Sequence, residues 1–548
     1  RGFRDGRGTG AEIMQEDGDH REMTTISRIG TGIVVCALVM FGAGRPEVRA
    51  DGVEAAGSGQ AAAETADLDG IRALVAQVAG EDAAAQEQAV RALVETGDAA
   101  TLSRLELVLE EADRATRVAV KPIKTLLKNK LNLTSADEAV RRAAAGDLGA
   151  SGRPVAIAWL EAAAAGEPQY WVRYAMEEGA ALLRLSGDDP SARAVAAAKL
   201  GELKSQNGLP ALKELAQQLS GEAGATEANG PLLAAVSKAI ERIEIWGTWA
   251  GAFETLFRGL SLSSILLIMS LGLAIVFGLM GVINMAHGEL MMVGAYATFM
   301  TQELFKAYLP PSMFDAYFLA SLPVAFLAAG ACGLFLEATV IRFLYGRPLE
   351  TMLATWGVSL VLIQLARVLF GDLTAVTAPA WLSGGVQALV GVYLPYNRLF
   401  IIMLSILCVF GIYLTLFRSS LGLRVRAVTQ NRNMSACLGI PTRTVDAYTF
   451  AFGSGLAGLA GCALTLVGNV EPGLGQNYIV DSFMVVVTGG VGKLAGTIVA
   501  ALGIGSLNKF LEPSFGAVYG KVLILGLVIL FLHRRPSGLF AIKGRHAD

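Results

Sequence analysis

The sequence predicts an all-α chain, in which a soluble helical domain precedes a polytopic helical membrane domain of about eight to nine spans, one of them broken. Three observations carry that expectation. The 548 residues are 53% hydrophobic and only 17% charged, with a mean hydropathy of +0.49; soluble domains carry about 25% charged residues. The net charge of −3 hides two unlike halves. Residues 1–258 hold 28 basic and 37 acidic side chains, whereas 259–548 hold 17 and 11. Finally, long apolar segments begin at Gly259 and recur to the C-terminal tail. The length allows two to four domains. No basic face with interleaved aromatics is present, so a nucleic-acid partner is not expected.

The chain begins at Arg1, and residues 1–22 are charged and Gly-rich without periodicity. They read as a disordered leader or as a mis-assigned start, with Met23 as the first residue proper. Residues 23–50 have the form of a secretory signal: Arg28, the apolar run Ile29–Phe41, then Val48-Arg49-Ala50 before Asp51. An uncleaved anchor would leave the following domain on the same side.

Residues 51–250 are rich in Ala, Leu, Glu and Arg at helical spacing. Turn signals punctuate them at Gly97-Asp98, Gly152-Arg153-Pro154, Gly187-Asp188-Asp189-Pro190 and Gly208-Leu209-Pro210. Ser135-Ala136-Asp137-Glu138 has capping-box spacing and opens a helix through Arg142. Similar pieces at 89–93, 139–143 and 192–196 suggest a HEAT-like helical array. No His lies between Asp51 and Arg258, so a binding or spacer domain is expected there rather than an enzyme.

Segments of spanning length fall at about 260–282, 290–308, 316–341, 351–371, 398–417, 447–468, 480–508 and 519–533. Basic residues give their orientation. Arg418, Arg424, Arg426, Arg432 and Arg443 crowd one loop, Arg342 and Arg347 another, and Arg534, Arg535, Lys543 and Arg545 the tail. The positive-inside rule makes all three cytoplasmic. Counting back puts 283–289 inside and the 51–250 domain outside, in agreement with the export signal. Counting forward works only if 480–508 breaks at its Gly-rich centre, Gly489-Gly490-Val491-Gly492.

Broken helices at membrane depth often mark a transport path. Gly489, Gly490 and Gly492 are therefore candidate path or broken-helix residues. So are Asn284, His287 and Glu289, because intramembrane ionisable groups tend to be functional. The other reading of 284–289 is an interfacial turn, with Gly288 as a helix stop and Glu289 opening the next helix. Gly453, Ala457, Gly458 and Gly461 form a small-residue face suited to close helix packing. Residues 489–493 lack the spacing of a phosphate-binding loop, so ATP must be handled by another subunit. The five cysteines stand singly, with no metal or redox spacing. Neither cofactor nor metal is expected, and no nucleophile–base grouping suggests an enzyme.

Gly272–Gly278 followed by Val282–Glu289 resembles the opening of LivH-type permeases, the branched-chain amino-acid ABC importer family. Arg426–Asn431 through Ala436–Pro441 resembles that family's cytoplasmic loop, which docks on the ATPase. The departure is Gln430-Asn431, where acidic residues are common. Gly468–Pro472, Tyr478–Val487, Asn508–Pro513 and Arg535–Phe540 are most similar to the urea-importer branch, as is a long exported extension. The resemblance implies a permease domain over 255–548 in a bacterial inner membrane, with the N-terminal domain periplasmic. It also implies a second permease subunit, two ABC ATPase subunits and a periplasmic substrate-binding protein. The ATPase-coupling loop spans 420–446, with Arg426, Ala427, Asn431, Ala436, Gly439, Ile440 and Pro441 as its working residues. Urea, being neutral, needs no fixed charge along its path. The alternatives are a branched-chain amino-acid or short-amide importer and, in a different class, a membrane-anchored scaffold or sensor.

Overall fold

The computed structural model describes residues 60–80, 82–95, 97–221 and 229–540. The leader, the export signal with Cys36, and Lys543 and Arg545 lie outside the described residues. Nine helices come first: α1 (Gln60–Ala79), α2 (Ala83–Glu95), α3 (Ala99–Glu111), α4 (Arg114–Asn132), α5 (Glu138–Gly149), α6 (Val155–Gly166), α7 (Tyr170–Leu185), α8 (Pro190–Leu203) and α9 (Leu209–Ser220). The turn signals work largely through aspartate. Asp98, Asp113, Asp137 and Asp189 each accept a hydrogen bond from a first-turn amide of the helix they open. The expected Ser135 cap is thereby corrected. Asp137 sits directly before α5 and takes the Ala139 amide, while Ser135 accepts from the Asp137 amide. Successive helices bury Leu, Val and Ala against one another.

Polar pairs tie this packing together. Arg141 on α5 binds Glu167 through two bonds of 2.8 and 3.0 Å, and the Arg141 guanidinium holds the Glu167 carboxyl below the usual glutamate range. Buried Glu178 on α7 accepts from Ser205 and Asn207 in the α8–α9 turn.

The domain boundary read at 250–255 falls inside one helix. α10 runs unbroken over Gly230–Ile275, 46 residues, or roughly 69 Å. Its first half packs on α8, where Gly201 meets the Ala239 backbone, and its second half is almost wholly buried in the membrane domain. A π-turn over Val276–Met280 ends it, and Gly281 follows at φ 70°.

The membrane domain continues with α11 (His287–Tyr308), α12 (Tyr317–Thr339), α13 (Pro348–Phe370), α14 (Tyr396–Tyr413), α15 (Ser420–Gln430), α16 (Arg432–Cys437), α17 (Thr442–Leu464), α18 (Leu474–Gly489) and α19 (Leu494–Arg534). A feature absent from the sequence reading is an antiparallel hairpin, β1 (Gly385–Leu389) and β2 (Val392–Pro395). It turns at Val390-Gly391 against the helical domain. There Trp246 Nε1 donates to the Val390 carbonyl at 2.8 Å, and Arg142 donates to Gln387.

Among the described residues, six helices are long and apolar enough to cross a membrane: α10, α12, α13, α14, α17 and α19, each with any short flanking turn. α11 has 22 residues but carries His287, Glu289, Gln302, Glu303 and Lys306; α18 has 16 residues. The segment expected at 480–508 is two helices, parted at Gly490 and Gly492, both at positive φ. α19 itself folds back. Gly516 is non-helical at φ 78°, ψ 163°, and a Cβ on Gly520 would lie 3.7 Å from Leu511 Cβ, against roughly 13 Å along a straight helix.

α17 is the hub. Its glycine face lets neighbours approach at backbone distance: Gly453 against Gly272, Gly458 against Ala325 and Gly294, Gly461 against Met291. Gly461→Ala would drive a methyl into the Met291 carbonyl. It is expected to cost about 1–3 kcal/mol and to lower the melting temperature of the detergent-solubilised protein, whereas Gly251→Ala, facing open space, leaves it unchanged. A second expectation concerns Glu167. Because its folded pKa is depressed, its stabilisation is present at neutral pH and is lost as pH falls through that lowered value. Amide exchange of 138–185 should therefore be faster in Glu167→Gln than in wild type at pH 7; the difference should begin to shrink as pH falls below the ordinary glutamate value of 4.5 and vanish below the lowered native value.

Candidate functional site

Two regions gather the residues singled out by sequence. The first is the start of α11. Past Gly281 the chain leaves helix for five residues, and Asn284, His287 and Glu289 end up 1%, 0% and 1% exposed. The segment is thus buried among helices rather than an exposed loop, and Glu289 stands in the first turn of α11 as expected. Gly288 is not a stop, for it is the second residue of α11. The segment is held by side chains standing in for helical partners. Thr355 of α13 accepts from the Met285 amide at 3.1 Å, and Asn284 Oδ1 accepts from the Ala286 amide at 3.0 Å. His287 Nε2 lies 3.2 Å from the Met269 carbonyl, in the middle of α10's buried half, so it is the protonated nitrogen in the neutral ring.

The first turn of α18 abuts the same point, with Gly475 against Gly288 and the Glu289 amide. Two helix N-termini, each a positive dipole end, thus converge inside the bundle. Asn284 Nδ2, His287 Nδ1 and Glu289 Oε2 have no hydrogen-bond partner among the described residues; Ser270, Ser454 and Ser482 hydroxyls are likewise unpartnered. Buried polar atoms are rarely left so. The junction can offer donors and acceptors to a small polar molecule. His287→Leu removes the second hydrogen bond to the Met269 carbonyl and is expected to destabilise by about 0.5–1.5 kcal/mol, whereas His287→Gln, which keeps a donor, recovers most of that in thermal unfolding.

The second region is the Arg-rich end. α15 is capped by Ser419, whose hydroxyl accepts from the Gly422 amide. α16 is capped by Asn431, whose Oδ1 accepts from the Met434 amide at 3.0 Å. Asn431 thus does by its amide oxygen what an acidic residue would do as a cap. α16 ends on a Schellman turn: Gly439 at φ 84°, its amide on the Ala436 carbonyl, and the Ile440 amide on the Ser435 carbonyl. Pro441 leads into α17. Arg426, Asn431, Ala436, Gly439 and Pro441 are exposed, Ala427 and Ile440 half-buried. Met434 and Leu438 are 59% and 76% exposed, so the short helix presents apolar side chains outward. Arg432 pairs with buried Asp446 and lies over Tyr345, fixing the loop to α17 and to the 340–347 turn.

Gly489, Gly490 and Gly492 are at this end too. Gly492 packs on Gly278, Gly489 on Gly496, and Gly490 on the Phe540 carbonyl of the returning tail. Thr429 of α15 faces the Leu279 carbonyl. The end of α10, the α18–α19 reversal, the tail and the loop 418–441 therefore form one connected patch. Among the described residues no group of three metal-ligating side chains occurs.

Residues 255–532 match the model of the family described as "Branched-chain amino acid transport system / permease component". The high-affinity branched-chain amino acid transport system permease protein BraD of Pseudomonas aeruginosa is 31% identical over 292 residues, 52% of this chain and 94% of BraD. The permease protein LivH of the corresponding system in Salmonella typhimurium is 27% identical over 296 residues, again 52% and 94%. No solved structure matches the chain. The helical domain over 60–245 lies outside the family match. An anchored scaffold is set aside by a match running through every span, and the chain belongs to the branched-chain amino acid transport system permease family.

Proposed function

We propose that this chain is a permease subunit of an ABC importer for urea, forming half of the translocation path and coupled to a cytoplasmic ATPase through residues 420–446. The observation that carries the coupling is α16, a capped, exposed helix with outward Met434 and Leu438, closed by Gly439. A six-residue helix fixed by Arg432–Asp446 can insert into a groove as a rigid unit and transmit movement to α17. The basic side chains around it support a cytoplasmic position for this end by the positive-inside rule. The helical domain, attached at the other end of α10, is then periplasmic, where it can position the substrate-binding protein. A second permease subunit and two ATPases complete the assembly.

The urea reading rests on the four stretches quoted above and on the chemistry of the buried junction. Its unpartnered atoms are mostly neutral: an amide, an imidazole and hydroxyls. A neutral molecule with donors and acceptors suits them without the desolvation cost of a zwitterion. The second reading, import of branched-chain amino acids, is favoured by what BraD and LivH transport according to their names. Uptake of radiolabelled urea by the reconstituted complex, with leucine as competitor, decides between them; leucine uptake without urea uptake overturns the first.

Gly439→Val forces a β-branched residue to a positive φ. It is expected to keep the permease folded while cutting ATP-driven uptake at least tenfold and leaving ATP hydrolysis uncoupled from substrate. Unchanged uptake would remove α16 from the coupling path.

A further inference from the structure

At the helical-domain end of the bundle, α10, α18 and both arms of α19 enclose a cavity of about 260 Å³. Most of its wall comes from residues 468–481, 508–512 and 517–521, with Leu262 and Leu464 completing it. The charged groups are largely paired with one another. Lys521 Nζ lies 3.2 Å from Asp481, which is 4% exposed, and also donates to the Asn477 carbonyl. Lys509 pairs with Glu512, and Glu471 accepts from the Asn477 amide at 3.0 Å. Two further carboxamides line it: exposed Asn469, and Asn508, which is 6% exposed and takes no part in these pairs.

We propose that this cavity is a binding site for a small uncharged amide on its way into the bundle, recognised by the Asn508 side chain. The inference rests on the importer reading above and names the site where its substrate is first held. A carboxamide donates and accepts at once, which is what a diamide such as urea returns. A zwitterion would have to separate two ion pairs to be held here, and an anion meets three carboxylates against two ammonium groups. The cavity also lies next to the junction in the chain. Leu474 lines it, and the next residue, Gly475, touches Gly288 beside the polar junction.

The test uses the full complex in proteoliposomes, with saturating binding protein and radiolabelled urea or leucine. Asn508→Leu keeps the volume and removes the amide; its urea transport rate should fall about tenfold, as expected for one lost hydrogen-bonded contact. Asn508→Gln should recover part of the rate. ATP hydrolysis by the assembled complex reports that both variants fold. Undiminished urea transport in Asn508→Leu, or no recovery in Asn508→Gln, overturns the site while leaving the importer reading intact. If wild type carries leucine and not urea, the substrate reading falls with the amide site, whatever Asn508→Leu does to leucine.

Discussion

In the apolar part of a bilayer a backbone amide or carbonyl has nothing to bond but the protein itself, and the arrangement of this chain follows from that constraint. Two of the places where helix is left within the bundle show how the freed groups are covered. Between α10 and α11 the amides of Met285 and Ala286 go to Thr355 and Asn284, and the Gly281 amide to the Phe277 carbonyl. Between α18 and α19 the Gly490 and Lys493 amides turn back on Val486 and Gly490, and the tail closes the gap as the Leu539 amide reaches the Thr488 carbonyl. The breaks are therefore rigid features held from several sides. The polar atoms left without partners at the first break belong to side chains, and those a passing molecule can use.

Close packing is the second consequence. Lipid chains are as apolar as leucine, so helices gain little by hiding apolar surface from lipid and must gain by contact. Hence the glycines: Gly272 on Gly453, Gly294 on Gly458, Gly278 on Gly492 and Gly475 on Gly288 each bring two backbones together where no Cβ fits. The last two of these contacts lie at the breaks themselves. Packing and the breaks are thus made by the same glycines.

Much of this was legible in the sequence, and the failures have physical causes. Hydropathy and basic loops gave the spans and their common end because transfer of apolar side chains and exclusion of charge are local properties. The reversal at Gly490 and Gly492 was legible because only glycine takes positive φ freely. Burial was not legible: nothing in Asn284–Glu289 distinguishes an exposed turn from a segment buried among helices. That difference is set by Met269, Thr355 and Gly475, distant in sequence. The β-hairpin escaped for a similar reason, since its position is fixed by Trp246 and Arg142 of another domain. Asp137 was passed over for Ser135 because both stand at plausible caps, and backbone geometry chose. The fold-back at Gly516 hid inside one apolar stretch, and Asn508 stands out only once its neighbours are seen to pair among themselves.

The helical domain and the membrane domain share α10, and this limits what the first can do. A 46-residue helix cannot hinge at residue 250 without breaking hydrogen bonds that solvent-exposed turns would not repay. The hairpin adds a second attachment through Trp246 and Val390, and Lys204 stacks 3.7 Å from the Trp246 ring. A domain held at two points, one of them a continuous helix, moves with the first span. It is suited to being a fixed platform that keeps one orientation on the bundle. Any movement of α10 is then carried to that platform.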